Sequence, residues 1–447
     1  MKNIKQYILL IAVTFAFTAC ETEFDDPVYT SGSADLSSFV AVGNSLTAGF
    51  ADAALYQEGQ DNSFPKMLST QFAMAGGGTS FVQPDVNSSI GIGSSGNSRS
   101  ILGLSMDCLG ETGLGPIDLA PFGDLTIFDP ANAVGANGPF HNMGVPGAKS
   151  FHLVTPAFGA WGLGNPFYSR FASDPGTSTV IGDAVMASPT FFSLWIGNND
   201  ILGYATSGGS GNVGGTDVND ITDLPTFNGS IDAIIATMSG TGAGGVVANI
   251  PCITCIPFFT TIPYNGLELD AASAAGLTQA YMLLGLQFSE GANPFVIEDK
   301  ASGLPRLIKD NEYILLSTPQ DSLKCGGWGS TKAIPSQYII DETEFTTINN
   351  YRMDYNAKLK SAADAAGLAF ADISDFFFGV RDDGFTFNGN EMSIEFVSGG
   401  LFSLDGVHGS PRGYAAIANE MIKAINSHYN ATIPLIDVNS KDGILFP

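Results

Sequence analysis

Four short runs of apolar residues set the fold class. Residues 36–42 (LSSFVAV), 190–196 (TFFSLWI), 245–250 (GVVANI) and 368–373 (LAFADI) are close to continuous in apolar side chains and are bounded by glycine or turn residues. A strand buried on both faces reads this way, because a strand with one wet face alternates instead. Helical patterns lie between the runs. One helix is predicted to start near Leu46. Another covers 62–74, with Asn62 or Ser63 as its cap and Pro65 in its first turn, and a third covers 346–366. Residues 411–428 form a closing helix with Pro411 in its first turn. Strands alternating with helices predict an α/β domain around a parallel central sheet, in which ligands meet the C-terminal ends of the strands. Residues 313–317 (YILLS) read as a further strand at an edge or within an insertion.

The chain is long and apolar enough for a large core: 447 residues, 44% hydrophobic and only 14% charged. Its 54 glycines and 23 prolines predict extensive loops. These fall near 76–140, 203–225 and 256–345, as insertions into a domain spanning 36–447. A loop as long as the first carries function or a small structure of its own. The formal charge of −26 repels nucleic acid and anionic headgroups, so no nucleic-acid partner is expected.

At the N-terminus, Lys2 and Lys5 precede an apolar stretch over 7–17, and Thr18-Ala19-Cys20 follows. This is the layout of a secretory signal, too short for a comfortable membrane span. A cysteine directly after small residues resembles a bacterial lipobox, although Phe17 stands where leucine is usual. The resemblance implies a signal peptide over 1–19, lipid on the sulfur of Cys20, and a membrane-anchored, extracytoplasmic lipoprotein of the periplasm or cell surface. Residues 20–35 then read as an acidic, Ser/Gly-rich tether, and the acidic stretch 21–26 resembles export signals of Bacteroidetes-type surface lipoproteins. The four remaining cysteines, in an oxidising compartment, allow three pairings. A local bridge between Cys252 and Cys255 with a second between Cys108 and Cys325 is the expected one. Pro251 and Pro257 bracket the first pair and argue against a redox motif. The absence of a second paired cysteine or histidine motif argues against zinc.

Two short patterns carry reactive chemistry. Gly43-Asn44-Ser45-Leu46 follows the first strand, where a serine caps a helix by default. Asp405-Gly-Val-His408 lies just before the closing helix. On one turn, Asp-x-x-His sets a carboxylate against the imidazole Nδ1 and leaves Nε2 for a serine. Alone, Asp405 is an ordinary turn residue before Gly406. Of the other histidines, His428 ends the closing helix, while His141 and His152 have no carboxylate at matching spacing. Two further blocks, Asn142-Met-Gly144-Val-Pro-Gly147 and Trp195-Ile-Gly197-Asn198-Asn199-Asp200, are each suited to a turn after a strand.

Together and in this order, the four blocks resemble the consensus blocks of the SGNH (GDSL-type) esterase and lipase superfamily. The resemblance implies a three-layer α/β/α, flavodoxin-like fold. It makes Ser45 the nucleophile, His408 the base and then the acid, and Asp405 the group that orients it. The oxyanion hole would consist of the Ser45 N–H, the Gly144 N–H and the Asn199 side-chain amide, with Asn198 at the variable position of Gly-x-Asn-Asp. No metal or organic cofactor is implied. Asn44 departs from the aspartate usual before the nucleophile. The blocks span about 37–430, well beyond a minimal domain of the superfamily, which leaves the insertions without an explanation. The expected activity is hydrolysis of carboxylic esters of small molecules, lipids or acylated glycans. Phenylalanines 258–259 and 376–378 are mostly core, with some available to line an acyl groove. Carbohydrate O-deacetylation and acyl transfer are the alternatives on the same fold. A non-catalytic surface binding lipoprotein is the alternative of a different class.

Overall fold

The computed structural model describes residues 27–446. The signal-like segment, Cys20 and the acidic residues 21–26 lie outside them. The second half of the expected tether is docked: Ser33 N donates to Tyr429 O at 2.8 Å, Thr30 N donates to Thr432 Oγ1 at 2.9 Å, and Ala34 is buried. Among the described residues, no helix is long and apolar enough to cross a membrane.

Five parallel strands form the central sheet: β1 Phe39–Gly43, β2 Asn142–Gly144, β3 Phe191–Trp195, β4 Gly244–Ala248 and β5 Ala369–Ala371, in the spatial order β5-β4-β3-β1-β2. Four of them are the four apolar runs. Their side chains are almost wholly buried because helices cover both faces. The fifth, β2, is three residues long and carries an asparagine and a glycine, which is too little apolar pattern to announce a strand.

Eight helices frame this sheet and the site. They are α1 Ser45–Ala48, α2 Phe64–Met74, α3 Val180–Met186, α4 Asn199–Thr206, α5 Leu224–Ser239, α6 Glu342–Ala365, α7 Ile373–Asp383 and α8 Pro411–Tyr429. Ser63 caps α2, with Pro65 in its first turn as predicted. α6 starts four residues before the predicted 346, where Asp341 and Glu344 form a reciprocal capping box. α2 packs on α8 and α5 packs on α6, while α6 and α8 both cover β4 and β5.

The insertions have structure of their own. The first contains an antiparallel hairpin of Ser100–Met106 with Thr112–Asp118. It also helps bury a small apolar cluster of Phe50, Leu55, Ile92, Ile127 and Phe167. The third holds three two-stranded antiparallel sheets around Phe295, Ile297, Ile308, Ile314, Ile334 and Ile339. Its strand Tyr313–Ile314 pairs with Ile339–Ile340. A disulfide between Cys108 and Cys325 ties the hairpin tip to the third insertion, and a second joins Cys252 to Cys255. This is the expected pairing.

Candidate active site

The chain leaves β1 for β2 on one side and returns to β3 on the other. The C-terminal ends of β1 and β3 therefore flank the point where the strand order reverses, the place where open α/β sheets bind ligands. Ser45 follows β1 by two residues, and Asn198 and Asn199 follow β3 by three and four.

Ser45 opens α1, a single turn of helix, so its N–H has no helical partner. The cap is the residue before it: Asn44 Oδ1 accepts from Leu46 N at 3.0 Å. The other end of that amide donates to Asn198 Oδ1 at 3.2 Å. An aspartate at position 44 would keep the cap and could accept from the Asn198 amide turned over, so the departure at Asn44 leaves both contacts possible.

The loop between Phe402 and Gly409 carries the histidine. Its ends are paired, and Ser403 N donates to His408 O at 2.8 Å. Asp405 folds the loop around its own carboxylate: Oδ1 accepts from Val407 N at 2.9 Å, from His408 N at 2.8 Å and from Ser403 Oγ at 3.0 Å. Oδ2 accepts from Ala53 N at 3.0 Å and meets His408 Nδ1 at 2.8 Å. His408 Nε2 lies 2.8 Å from Ser45 Oγ. The sequence-predicted Ser45, His408 and Asp405 are thus brought together in one hydrogen-bonded row. Phe50 supports the imidazole, with ring centroids 4.8 Å apart. Burial alone would push the Asp405 carboxyl up, but His408 beside it and the converging N–H donors outweigh burial and hold it well below the usual carboxylate range.

Asn199 begins α4, and its Nδ2 donates one hydrogen to Ala148 O at 2.9 Å, leaving the second free. Asn199, Asn198, Asn44, Ser45 and His408 line one wall of a cavity that opens to solvent. The remaining walls are apolar, from Leu46, Trp195, Ile201, Leu202, Ile250, Ile253, Ile256, Phe377, Phe402, Val407 and Ile417 among others. Of the phenylalanine clusters, Phe377 reaches this cavity, while Phe259 is core. Phe258 N donates to Gly406 O at 2.9 Å and so ties the third insertion to the histidine loop.

Gly144 does not take the place expected of it. Its N–H donates to Asn142 Oδ1 at 3.0 Å, and it pairs with Gly43 inside the sheet. The residue is buried. It must be glycine for a different reason: a Cβ there would lie 2.2 Å from Ala48 N, where α1 crosses. The free amide of this block is that of Gly147, which is exposed and donates to no protein acceptor among the described residues. Gly147 sits at the third position of a turn closed by Ala148 N to Val145 O at 3.0 Å, with φ +78° after Pro146. The next residue, Ala148, offers the carbonyl that Asn199 holds.

His141 and His152 stay outside the cavity. Each Nδ1 accepts a backbone N–H, from Val82 at 3.0 Å and from Lys149 at 3.0 Å. Burial, with help from Lys149, pushes His152 down to about 4. His428 Nε2 lies 2.9 Å from Gly367 O, at the far end of α8. Asp200 lies in the first turn of α4. It is buried beneath the site, accepting from Ser150 N at 2.8 Å and Ser150 Oγ at 2.7 Å. Burial pushes its carboxyl up to about 6 against those hydrogen bonds.

These two carboxyls move stability in opposite directions with pH. Asp405, held low, stabilises the fold above its ordinary value of 3.8, and that contribution is lost as pH falls through the folded-state value. Asp200, raised to about 6 from 3.8, contributes fully below 3.8 and loses that contribution as pH rises through about 6. Acidification from pH 7.5 to 5 is therefore expected to add roughly 1 kcal/mol through Asp200. Asp200→Asn should lack this gain. Urea midpoints of both proteins at both pH values check it, and an identical pH response in the two would refute it.

Compared with known proteins, the chain matches no family model and no curated protein.

Proposed function

We propose that the protein is a serine hydrolase of the SGNH type that cleaves carboxylic esters with an apolar acyl group. The observation that carries this reading is the row Ser45 Oγ, His408 Nε2, His408 Nδ1 and Asp405 Oδ2, with both links at 2.8 Å, opening onto an apolar cavity. The strand order β2-β1-β3-β4-β5 is that of doubly wound flavodoxin-like sheets, which supports the same assignment.

Ser45 Oγ attacks the ester carbonyl while His408 Nε2 takes its proton, and Asp405 holds the imidazole tautomer and stabilises the imidazolium. The Ser45 N–H and the free hydrogen on Asn199 Nδ2 stabilise the oxyanion. Gly147 N–H replaces Gly144 N–H as the third donor, since the latter is already committed. The imidazolium protonates the leaving alcohol, and water then resolves the acyl-enzyme by the same route in reverse. The chain's own groups complete every step, without a metal or organic cofactor. Placement outside the cytoplasm, with a lipid anchor on Cys20, belongs to the same proposal and is supported by the signal-like N-terminus and the two disulfides.

The test uses the full chain in detergent, with a fluorophosphonate probe and a series of p-nitrophenyl esters from acetyl to palmitoyl. Covalent labelling at Ser45, with kcat/KM rising beyond acetyl, is expected from the apolar cavity. A maximum at acetyl would favour the deacetylase alternative. Added alcohol acceptors diverting most of the acyl group would favour transfer. Folded protein that neither labels nor turns over would leave the binding-lipoprotein reading in its place.

A further inference from the structure

We infer that Asp52 is a positioning residue for Asp405, and that the turn it occupies sets the Asp405 carboxylate against His408. The inference rests on the proposed triad but concerns a residue outside it. Ala51 and Ala54 exchange backbone hydrogen bonds at 3.1 and 3.0 Å, leaving Asp52 and Ala53 as a two-residue turn. Their φ values are +52° and +64°. Turns of this kind favour asparagine and glycine, and a Cβ in the left-handed region is strained. Such strain persists only where the surroundings impose it.

The turn delivers one backbone N–H to the Asp405 carboxylate directly and a second through the Ser403 hydroxyl. Ala53 N donates to Asp405 Oδ2 at 3.0 Å, on the same oxygen that meets His408 Nδ1. Asp52 N donates to Ser403 Oγ at 3.0 Å, and that hydroxyl donates to Asp405 Oδ1 at 3.0 Å. The Asp52 side chain closes the arrangement: Oδ1 accepts from Leu404 N at 3.0 Å and Oδ2 accepts from Tyr56 Oη at 2.7 Å. On the outer side, Ser100 N donates to Asp52 O at 2.8 Å, Asn97 Nδ2 donates to Ala53 O at 3.0 Å, and the Arg99 guanidinium lies over the Tyr56 ring at 4.8 Å. Asp52 does not line the cavity beside Ser45. It acts through the segment 403–405 and touches no reacting atom.

Removing the Asp52 carboxylate frees Leu404 N and Tyr56 Oη, and lets the strained turn withdraw Ala53 N from Asp405. The carboxylate then loses its fixed distance to the imidazole. Asparagine retains an acceptor for Leu404 N and a group that pairs with the Tyr56 hydroxyl, so it should rescue most of the function.

The test reads the His408 Nδ1 proton by ¹H–¹⁵N NMR on the full chain in detergent, with His408→Ala identifying the signal. That proton reports the contact with Asp405 whether or not any ester is cleaved. A low-field signal is expected in wild type and in Asp52→Asn, and its loss in Asp52→Ala. In parallel, kcat for a p-nitrophenyl ester should fall roughly 100-fold in Asp52→Ala at nearly unchanged KM. In an Asp405→Asn background the same change should cost little more, because the two residues act as a unit. Ser403→Ala, which breaks only the hydroxyl bridge, should give a smaller loss of the same kind and carries the test if Asp52→Ala does not fold. An unchanged His408 signal in Asp52→Ala would overturn the inference, as would a full 100-fold loss in the Asp405→Asn background. So would the absence of the signal from wild type. If wild type cleaves no ester but the proton responds as described, the proposed function falls and the positioning role stands.

Discussion

Replacing Ser45 or His408 by alanine is expected to lower kcat for ester hydrolysis by about a million-fold in each case, with the double variant no worse than either single one. The reason is mechanical. A serine hydroxyl is a weak nucleophile until a base removes its proton, and the only imidazole within reach of Ser45 Oγ is that of His408, at 2.8 Å. Removing either partner abolishes the same step, so the losses cannot add. Residual catalysis then comes from the oxyanion donors and the cavity alone. Both side chains are small contributors to the fold. Ser45 is capped past by Asn44, and the histidine loop is held by the Asp405 carboxylate and its paired ends. Far-UV circular dichroism and melting temperature should therefore stay near wild type while initial rates with a p-nitrophenyl ester collapse. If rates survived in Ser45→Ala, the nucleophile would lie elsewhere. If wild type itself were inert, the row of contacts would be a structural one.

Much of this arrangement is legible in the sequence for reasons that can be named. Buried parallel strands are continuous apolar runs, and the four that were read are β1, β3, β4 and β5. Ser45, Asp405 and His408 were legible because each sits in a short local pattern whose geometry is set within one turn. Elements escaped where the local signal is weak or is imposed from afar. β2 pairs through three residues supplied with little apolar character. Helix α5 carries Pro225 in its first turn and Gly229 inside it, and takes its stability from packing on α6. In the hairpin of the first insertion, Gly103 pairs with Gly115, and the strands lack the β-branched pattern that marks a strand. Gly144 was preferred because its block holds two glycines and the sequence does not say which keeps a free amide and which faces α1. In the structure α1 crosses over Gly144, whose N–H is committed to Asn142, and the turn at Gly147 leaves that amide without a protein acceptor among the described residues. Asp52 gave no signal at all, since its role arises from contacts with residues about 350 positions away.

Asn199 carries the second large effect. Asn199→Ala is expected to lower kcat by about 100- to 1,000-fold while leaving KM within a small factor, because a donor aimed at the oxyanion acts on the transition state and hardly on the ground state. Its neighbour provides the control. Asn198 is also an asparagine, also lines the cavity and is one residue away, but its Oδ1 is taken by Asn44 Nδ2. It therefore positions α1 from the side, and Asn198→Ala should cost less in kcat than Asn199→Ala. Asn198 is the more buried of the two, so lost packing predicts the larger effect at 198 and oxyanion stabilisation the larger effect at 199. Asn199→Ala also frees Ala148 O, which loosens the turn presenting Gly147 N–H. Asn199→Asp, with no hydrogen to donate, loses the bond to Ala148 O as well. It keeps a side chain of the same shape but places an anion where the oxyanion develops, so it should be at least as damaging as alanine. Steady-state kcat and KM for the three variants on one ester settle the assignment. A loss at position 198 equal to or larger than that at 199, or an active Asn199→Asp, would remove Asn199 from the oxyanion hole and leave the Ser45 and Gly147 amides to hold the charge.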